Sequence, residues 1–504
     1  MAALRGNYTI MRLLIEHGAN INAYSRTIGP VINAAIRSGT LDAVKQIMDG
    51  DVRFDADYTK CDPPLSLSAG ISEPSVFQDI LETGREKWLQ NVKLLDRALV
   101  AASYSGRLES VRILLTFQHN YTDNTIETAI LSAALEKNWA SVSELLDYAT
   151  EAVVEERRRQ ISLERAFYLA AISREEQLPI LERMWKFTKR AISQETRDFS
   201  LYQATALKKE ATVMWLLDTC SANPNATAEA PATMDAGYVD VAASSDFGQA
   251  LNAAAHTGNT RLVKSLIDHG AAVDGEDIYA LQLASSEGHT EVVEALLERG
   301  ASVDKIAVGN DNVVFYSATA MQAACENNKL QTVAVLLRYG ADPNLGGGPL
   351  SNPITAATIK GHREVLELLL SAPNIDVNVR GSEDQSTPLI NAATRMSVGA
   401  VKLLLDRGAD VNCQNAAGDT ALIMAAWKGE QACVELLCEA GADVTYRSPR
   451  QGLAIQVAAQ MLQPLCAHTL AEWMVNTIED YREQGESPTQ SYSGLFSTKV
   501  IIIY

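Results

Sequence analysis

The chain has 504 residues, with 62 Asp and Glu against 43 Lys and Arg, so its net charge is −19. Binding to a phosphate backbone needs a basic surface, and this charge argues against a nucleic-acid-binding protein. No apolar run approaches the roughly 18 residues that span a bilayer, and the first ten residues lack a hydrophobic signal core. We therefore expect no membrane contact, a cytoplasmic or nuclear location, and a monomer.

From the N-terminus, short alanine-rich segments alternate with amphipathic segments at helical spacing. Such pairs are recognisable at 30–48, 97–116 and 129–147, and they predict N-terminal repeats over 1–150. Residues 2–7 already fit the second half of an alanine-rich segment. The pattern therefore predicts that the chain starts inside a repeat, either as a fragment of a longer array or with a degenerate cap.

Three segments depart from the pattern. Residues 49–95 are interpreted as an insertion of about one repeat, beginning with a turn-rich piece and ending in a helix-like stretch over 76–96. Residues 151–226 keep the paired-helix spacing but lose the glycine that ends each unit, so we expect degenerate helical repeats. Residues 227–246 are rich in Ala and other small residues without periodicity, which is typical of a linker or long loop.

The clearest repetition lies at 247–445, where amphipathic helices end in a recurring glycine motif. The spacing between the last two copies is 33 residues, which is a repeat period rather than a coincidence of composition. A glycine in this place is typical of a helix that ends in a left-handed residue. The copies are Gly270–Asp274, Gly300–Asp304, Gly340–Asn344, Gly408–Asn412 and Gly441–Val444.

These units resemble the ankyrin repeat. The best match combines Thr387–Leu389, the alanine pair at 392–393, Leu403–Leu405 and Gly408–Asn412. The resemblance implies an all-α solenoid of about 12–13 stacked helix-turn-helix units, some degenerate, with β-turn or hairpin fingers between them. It also implies that protein partners bind on the concave face and the finger loops.

One position departs from the family pattern throughout, because the histidine of its TPLH motif is absent. In the family this side chain bonds the backbone of the turn. We expect Asn, Gln, Ser or Thr in this slot to do the same, whereas Val and Ile leave their repeats more dependent on packing. The slot holds Asn33, Val100, Ser132, Asn252, Gln282, Gln322, Thr355, Ile390 and Ile423.

The C-terminal part consists of a predicted capping repeat with a longer helix at 446–484 and a tail at 485–504. Pro464 is expected to disturb that helix. The tail begins polar and turn-rich, and this composition predicts disorder, yet it ends in the β-prone run Phe496–Tyr504.

The sequence contains no catalytic motif that withstands scrutiny, and it predicts no enzyme, no cofactor and no metal. Seven cysteines are scattered without a CxxC pair, and we interpret Cys325 and Cys433 as small core residues. His289 and His362 fall at repeat-defined helix turns, and a structural role is favoured for both over general-base chemistry.

Function is therefore expected in binding, by residues that follow the alanine pair on the concave side. Trp427 and Ile359 are large apolar groups where the helix needs only a solvated residue, and an aromatic beside a cation is typical of interface hot spots. Packing on the neighbouring repeat is an equally good reading. The candidates are Tyr104, His256, Glu287, Glu326, Ile359, Lys360, Arg395, Trp427 and Lys428.

The resulting prediction is a noncatalytic scaffold that binds a protein partner, one with a basic surface given the acidic charge. Two alternatives stay open. The array could be the recognition or regulatory arm of a larger protein, for example one with an NTPase domain. It could also be a substrate adaptor of a ubiquitin ligase, because Leu462, Cys466 and Leu470 match the LxxxCxxxL core of a SOCS-type box.

Limited proteolysis tests the predicted division of the chain. The repeats at 247–445 match the family pattern and should resist cleavage, because stacked regular repeats open least often. We expect the first cut between 221 and 246 and a resistant C-terminal fragment, identified by mass spectrometry. A first cut inside 360–440 would contradict the prediction.

Overall fold

The structure, a computed structural model, describes residues 1–25, 28–50, 52, 62–117, 119–151, 161–188, 192–227, 231, 248–275, 279–306, 318–347, 350–381 and 384–483. The chain divides into two compact units, Met1–Ala250 and Leu251–Tyr504. The predicted tail at 485–504 lies outside the described residues, as does the predicted linker at 227–246 except for residues 227 and 231.

The first unit is a stack of helix pairs, each with an inner and an outer helix. A 3₁₀ turn at Ala3–Arg5 takes the place of the first inner helix. Inner helices α2, α4, α7, α9, α11 and α13 below pack against one another in that order, and the remaining helices except α6 form the outer row. The helices are α1 Tyr8–Glu16, α2 Val31–Ser38, α3 Leu41–Met48, α4 Pro64–Ile71, α5 Pro74–Thr83, α6 Arg85–Gln90, α7 Val92–Tyr104, α8 Leu108–Thr116, α9 Asp123–Leu135, α10 Trp139–Glu151, α11 Ile161–Ile172, α12 Leu178–Phe187, α13 Gln194–Ala206 and α14 Glu210–Asp218.

The second unit repeats the same arrangement, with odd-numbered inner helices and even-numbered outer helices that pack in chain order. Pro464 does not disturb the last helix, contrary to expectation, because it is the first residue of that helix, where its missing N–H costs nothing. The helices are α15 Ala250–Thr257, α16 Thr260–Asp268, α17 Ala280–Glu287, α18 Thr290–Glu298, α19 Ala320–Glu326, α20 Leu330–Arg338, α21 Pro353–Lys360, α22 Arg363–Leu369, α23 Pro388–Thr394, α24 Val398–Asp406, α25 Ala421–Lys428, α26 Gln431–Glu439, α27 Ala454–Gln460 and α28 Pro464–Glu483.

Among the described residues, the strands form short antiparallel hairpins in the fingers between repeats. In the first unit β1 (Tyr24–Ser25) pairs with β2 (Gly29–Pro30), and in the second β3 (Arg447–Ser448) pairs with β4 (Gly452–Leu453). The predicted all-helical array of stacked helix pairs with hairpin fingers is therefore confirmed.

The prediction of an insertion at 49–95 is wrong for the part that the structure describes. Helix α4 packs between α2 and α7, and α5 packs between α3 and α8, so the two form a repeat of their own. This repeat lacks both the alanine pair and the glycine that mark the other repeats in the sequence. Its alanine-pair positions hold Ser68 and Ala69, and Ser72, with φ −78°, replaces the usual glycine after the inner helix. The helix-like stretch at 76–96 is divided among α5, α6 and the start of α7.

Alanines form the seam along which the inner helices pack. Ala254, Ala284, Ala324, Ala392 and Ala425 are fully buried at equivalent places in their repeats. Small side chains let neighbouring helices approach closely, and the leucines of the outer helices close the core from the other side. The predicted glycine stops are confirmed, since Gly270, Gly300, Gly340, Gly408 and Gly441 have φ between 79° and 91°.

Polar residues in the slot of the missing histidine bond the fingers, as predicted. Asn252 Oδ1 accepts from the backbone N–H of Tyr279 (2.8 Å), and Gln282 Nε2 donates to the carbonyl of Lys305 (3.0 Å). Gln322 makes three such bonds: Nε2 donates to Gly347 O (2.9 Å), while Oε1 accepts from the N–H groups of Ala318 (3.1 Å) and Gly347 (3.2 Å).

Thr355 and the isoleucines behave differently from these amides. The Thr355 hydroxyl is buried and has no hydrogen-bond partner among the described residues, so the expectation that this threonine bonds the turn is wrong. Ile423 is 1% exposed, and in its repeat the polar role passes to another residue. There Asp419 accepts from the Ser448 hydroxyl (2.6 Å) and from Gln451 Nε2 (2.9 Å).

The repeats at 161–218 hold together through aromatic packing instead of the regular glycine pattern. The ring of Phe167 lies 6.4 Å from that of Trp185 and 6.1 Å from that of Trp215, measured between centroids. The buried carboxylate of Glu164 accepts from the Ser193 N–H (3.1 Å) and the Thr196 hydroxyl (3.0 Å), which fixes the start of α13.

The contrast between Gln322 and Thr355 is testable by two nearly isosteric substitutions. Gln322→Met should lower the free energy of unfolding by about 1–3 kcal/mol, because it leaves buried finger N–H groups unpaired. Thr355→Val removes a buried hydroxyl that has no partner, so stability should stay unchanged or rise slightly. Urea denaturation followed by circular dichroism measures both. Equal destabilisation by the two variants would show that the finger bonds contribute nothing.

Candidate protein-binding surface

The nine predicted residues occupy equivalent places, at or just after the C-terminal end of an inner helix. Here the chain turns toward the outer helix through a residue with positive φ, as at Gly258, Gly288, Gly361 and Gly429. The last inner-helix residues therefore point away from the core. Tyr104 is 53% exposed, Glu287, Lys360 and Arg395 are exposed, and His256, Glu326, Ile359, Trp427 and Lys428 are half-buried.

The structure brings four of the candidates together in two pairs, each joining neighbouring repeats. His256 Nδ1 lies 4.0 Å from Glu287 Oε1, and Lys360 Nζ lies 3.1 Å from Glu326 Oε1. Lys360 and Glu326 carry opposite charges. Three of the four side chains are between 38% and 45% exposed, so each pair is worth little to stability. The candidate surface of the second unit therefore carries both acidic and basic groups.

Trp427 and Lys428 form a third cluster. Lys428 Nζ stands 4.2 Å from the centroid of the Trp427 ring, which is a cation–π contact. The indole is half-buried, so it is neither a full core residue nor a free side chain. Ile359, at the equivalent place of an earlier repeat, is half-buried as well.

Sequence reasoning missed an exposed apolar group near this cluster. Leu462, in the turn between α27 and α28, is 85% exposed, and Leu465, in the first turn of α28, is 64% exposed. A Cβ placed on Gly429 would lie 2.2 Å from Gln463 Cδ, so this turn touches the turn that follows Trp427 and Lys428. The signal was present, since leucine occupies the glycine slot of its repeat at 462, where φ is 56°.

Tyr104 lies in the first unit, apart from the other eight candidates along the chain. The neighbouring Glu136 carboxylate raises the pKa of the Tyr104 phenol above its ordinary value. The ring itself stays open to solvent. Asn138 Nδ2 donates to the Tyr104 carbonyl (2.9 Å) and so holds the turn below the ring.

The structural role predicted for two histidines is confirmed. His289 Nε2 donates to the carbonyl of His256 (3.0 Å), and His362 Nε2 donates to the carbonyl of Glu326 (2.9 Å). Each histidine thus ties its turn to the inner helix of the preceding repeat. Both bonds fix the backbone directly beneath a candidate binding residue.

The described residues contain no cluster of His, Cys, Asp and Glu that could hold a metal ion. Cys325 and Cys433 are fully buried, which confirms their interpretation as core residues. Burial raises the pKa of the Cys433 thiol to about 12, and a neutral thiol is a poor nucleophile or metal ligand. Within the described part of the chain, no helix is long and apolar enough to cross a membrane.

The SOCS-like motif is divided between surface and core. Cys466 is fully buried and Leu470 is 1% exposed, and helix α28, which carries them, packs on α26 and α27. Leu462 alone of the three is accessible. The last repeat therefore already covers two of the three residues that a partner would need.

Comparisons with known proteins agree with the repeat architecture. A sequence model of three ankyrin repeats matches residues 201–307, 306–381 and 354–448, and the single-repeat model matches residues 1–26. Together these matches cover more than half of the chain. Human ASB11 has an ankyrin repeat domain of known crystal structure that is 32% identical, with a TM-score of 0.37; the match covers 43% of this chain and 95% of that one.

Curated relatives share shorter stretches. Alpha-latrocrustotoxin-Lt1a of Latrodectus tredecimguttatus is 37% identical over 99 residues, which are 19% of this chain and 7% of the toxin. The human transient receptor potential cation channel subfamily A member 1 is 36% identical over 94 residues, or 19% of this chain and 8% of the channel. This chain thus spans only a small part of the length of either relative. Its matched repeats, its stacked helix pairs and its hairpin fingers show that the chain belongs to the ankyrin repeat family.

Proposed function

We propose that the chain is a noncatalytic scaffold that binds a protein partner through the C-terminal ends of its inner helices and its fingers. Ankyrin repeats generally mediate protein–protein interaction, and the family is generally noncatalytic. The observation that carries the proposal is the row of solvent-accessible side chains at equivalent places in successive repeats. A single repeat presents one or two of them, whereas a stack presents a continuous surface.

The composition of this surface supports a protein ligand. Interface hot spots combine a partly covered aromatic or arginine anchor with a rim of charged groups that are individually worth little. The contact between Trp427 and Lys428 supplies such an anchor, and the pairs His256–Glu287 and Glu326–Lys360 supply charged groups along the same surface. The net charge of −19 favours a partner with a basic surface. We place the protein, as a monomer, in the cytoplasm or nucleus.

Trp427→Ala tests the proposed surface, with Tyr339→Ala as a matched control. Tyr339 is also a partly exposed aromatic beside a cation, since Arg338 Cζ lies 5.5 Å from its ring centroid, but it follows the outer helix α20. We expect Trp427→Ala to weaken partner capture by the full chain about tenfold or more, and Tyr339→Ala to leave capture unchanged. Quantitative mass spectrometry of captured proteins measures both.

Thermal unfolding of the same variants separates binding from packing. Truncating a fully buried Trp costs roughly 3–5 kcal/mol, which would lower the melting temperature by several degrees. Leu404→Ala, in a fully buried position of α24, provides the destabilised reference. Should Trp427→Ala melt like Leu404→Ala, or should capture survive it, the indole is a packing residue and the proposed surface is wrong.

A second candidate function is the recognition or regulatory arm of a larger protein. The stretch similar to this chain makes up 8% of the human cation channel and 7% of the spider toxin, so in both it is a minor part of a long chain. Sequencing of full-length transcripts tests this candidate. An open reading frame that continues into a catalytic or membrane domain would support it, and a transcript that encodes these 504 residues alone would exclude it.

A further inference from the structure

A groove of about 840 Å³ lies in the first unit, on the accessible face of three consecutive inner helices. Helices α4, α7 and α9 each contribute residues to its walls. The residues that line it extend along these helices from the fingers at their N-terminal ends to the turns at their C-terminal ends. Of the sequence-predicted residues, it contains Tyr104.

The groove exists because its floor is made of small side chains. Gly70 of α4 occupies the place where the equivalent residue of α7 is Tyr104, and Ala101 lies beside it. A Cβ on Gly70 would lie 3.0 Å from Ser105 Oγ, so a side chain here would fill part of the groove and require the Ser105 hydroxyl to shift. This space could not be predicted from the sequence, since α4 belongs to the segment interpreted as an insertion.

The end of the groove near the fingers is acidic. Asp62 is exposed there, and Asp96 is a quarter exposed, with its Oδ1 atom 3.5 Å from His119 Nε2. Arg97 also lines this end and points into solvent. Two carboxylates against one exposed guanidinium leave a site that favours a cationic group.

Ser66, in the middle of the groove, carries an unused hydrogen-bonding group. Its side chain is 6% exposed, and its Oγ atom has no hydrogen-bond partner among the described residues. A buried hydroxyl without a partner costs free energy, and a ligand that bonds it would recover that cost. Thr125 and Thr128 of α9 place further hydroxyls along the opposite wall.

The far end of the groove is aromatic. The Tyr104 ring is 53% exposed. Asp96 and Tyr104 are eight residues apart on α7, which corresponds to roughly 12 Å along the helix axis. An extended peptide covers that distance in about three or four residues.

We propose that this groove binds an extended peptide segment that carries a lysine or arginine and, about three or four residues away, an apolar residue. The cation pairs with Asp62 and Asp96, the peptide backbone bonds the hydroxyl of Ser66, and the apolar side chain packs on Tyr104. This site is distinct from the surface around Trp427. It depends on the proposed function only in that both have a protein ligand.

The test uses the full chain and arrays of random twelve-residue peptides with one fixed central residue. Wild type should retain pools with fixed Arg or Lys over pools with fixed Asp or Glu. Asp62→Asn should reduce that preference about fivefold. The matched control is Asp79→Asn, whose carboxylate pairs with Lys45 at 3.2 Å on the outer helices and changes the net charge equally. The control should keep the wild-type preference.

Two further variants test the aromatic end of the groove. Ser105→Arg places a bulky cation at an exposed position of the groove and should abolish the preference, and Tyr104→Ala should remove selection for a neighbouring apolar residue. Fluorescence anisotropy with one labelled peptide from the retained pools, and with its Arg→Glu analogue, gives the affinities. Circular dichroism confirms that each variant is folded.

Several results would overturn the proposal. Equal loss in Asp62→Asn and Asp79→Asn would show that the whole acidic surface attracts cations without a site. An absence of preference, or binding that survives Ser105→Arg, would exclude the groove. Displacement of the labelled peptide by spermidine at equal concentration would identify a small cation as the ligand instead. None of these outcomes bears on the Trp427 test, which uses other residues and another readout.

Discussion

The structure depends on one constraint, which is that no helix pair of this chain can bury its apolar face alone. Most inner helices are eight to thirteen residues long, and helices of this length are marginal in water without tertiary packing. Ala284, Ala324 and Ala393 are fully buried because the next inner helix covers them. The side chains that project beyond the ends of this seam are the ones left for binding.

Polar side chains tie the repeats together at both ends of the helices. At the finger end, Asn378 Oδ1 accepts from the N–H of Asp410, and Asn412 Oδ1 from the N–H of Asp443, both at 2.8 Å. At the turn end of several repeats, a donor from the following repeat bonds an inner-helix carbonyl, as His289 and His362 do. Most of these bonds are backbone contacts, so they position the surface without using the side chains that a partner would meet.

Much of the fold could be predicted from the sequence, but only where the repeats keep the glycine that follows their outer helix. The stretch 247–445 was readable because a glycine with positive φ follows five of its outer helices. The α4–α5 repeat could not be recognised in the sequence, since Ser72 stands where most other repeats have a residue with positive φ. In addition, prolines 63 and 64 at the start of α4 are typical of a loop. The groove above α4 could not be predicted for the same reason. It follows from a missing side chain at Gly70 in a repeat whose existence the pattern concealed.

The position that follows an inner helix links the stability of the array to the candidate surface. After most inner helices the backbone takes a left-handed turn, which glycine adopts freely and which costs other residues roughly 1–2 kcal/mol. Met396 and Leu462 take it with φ of 59° and 56°, and their side chains are 49% and 85% exposed. Their repeats flank the repeat of Trp427 on either side, since α25 packs between α23 and α27. Neither side chain recovers the cost through burial, so this part of the array is less stable than glycine at both positions would make it. Strained backbone that no internal packing explains clusters at functional sites, and here it coincides with the exposed apolar groups beside the indole.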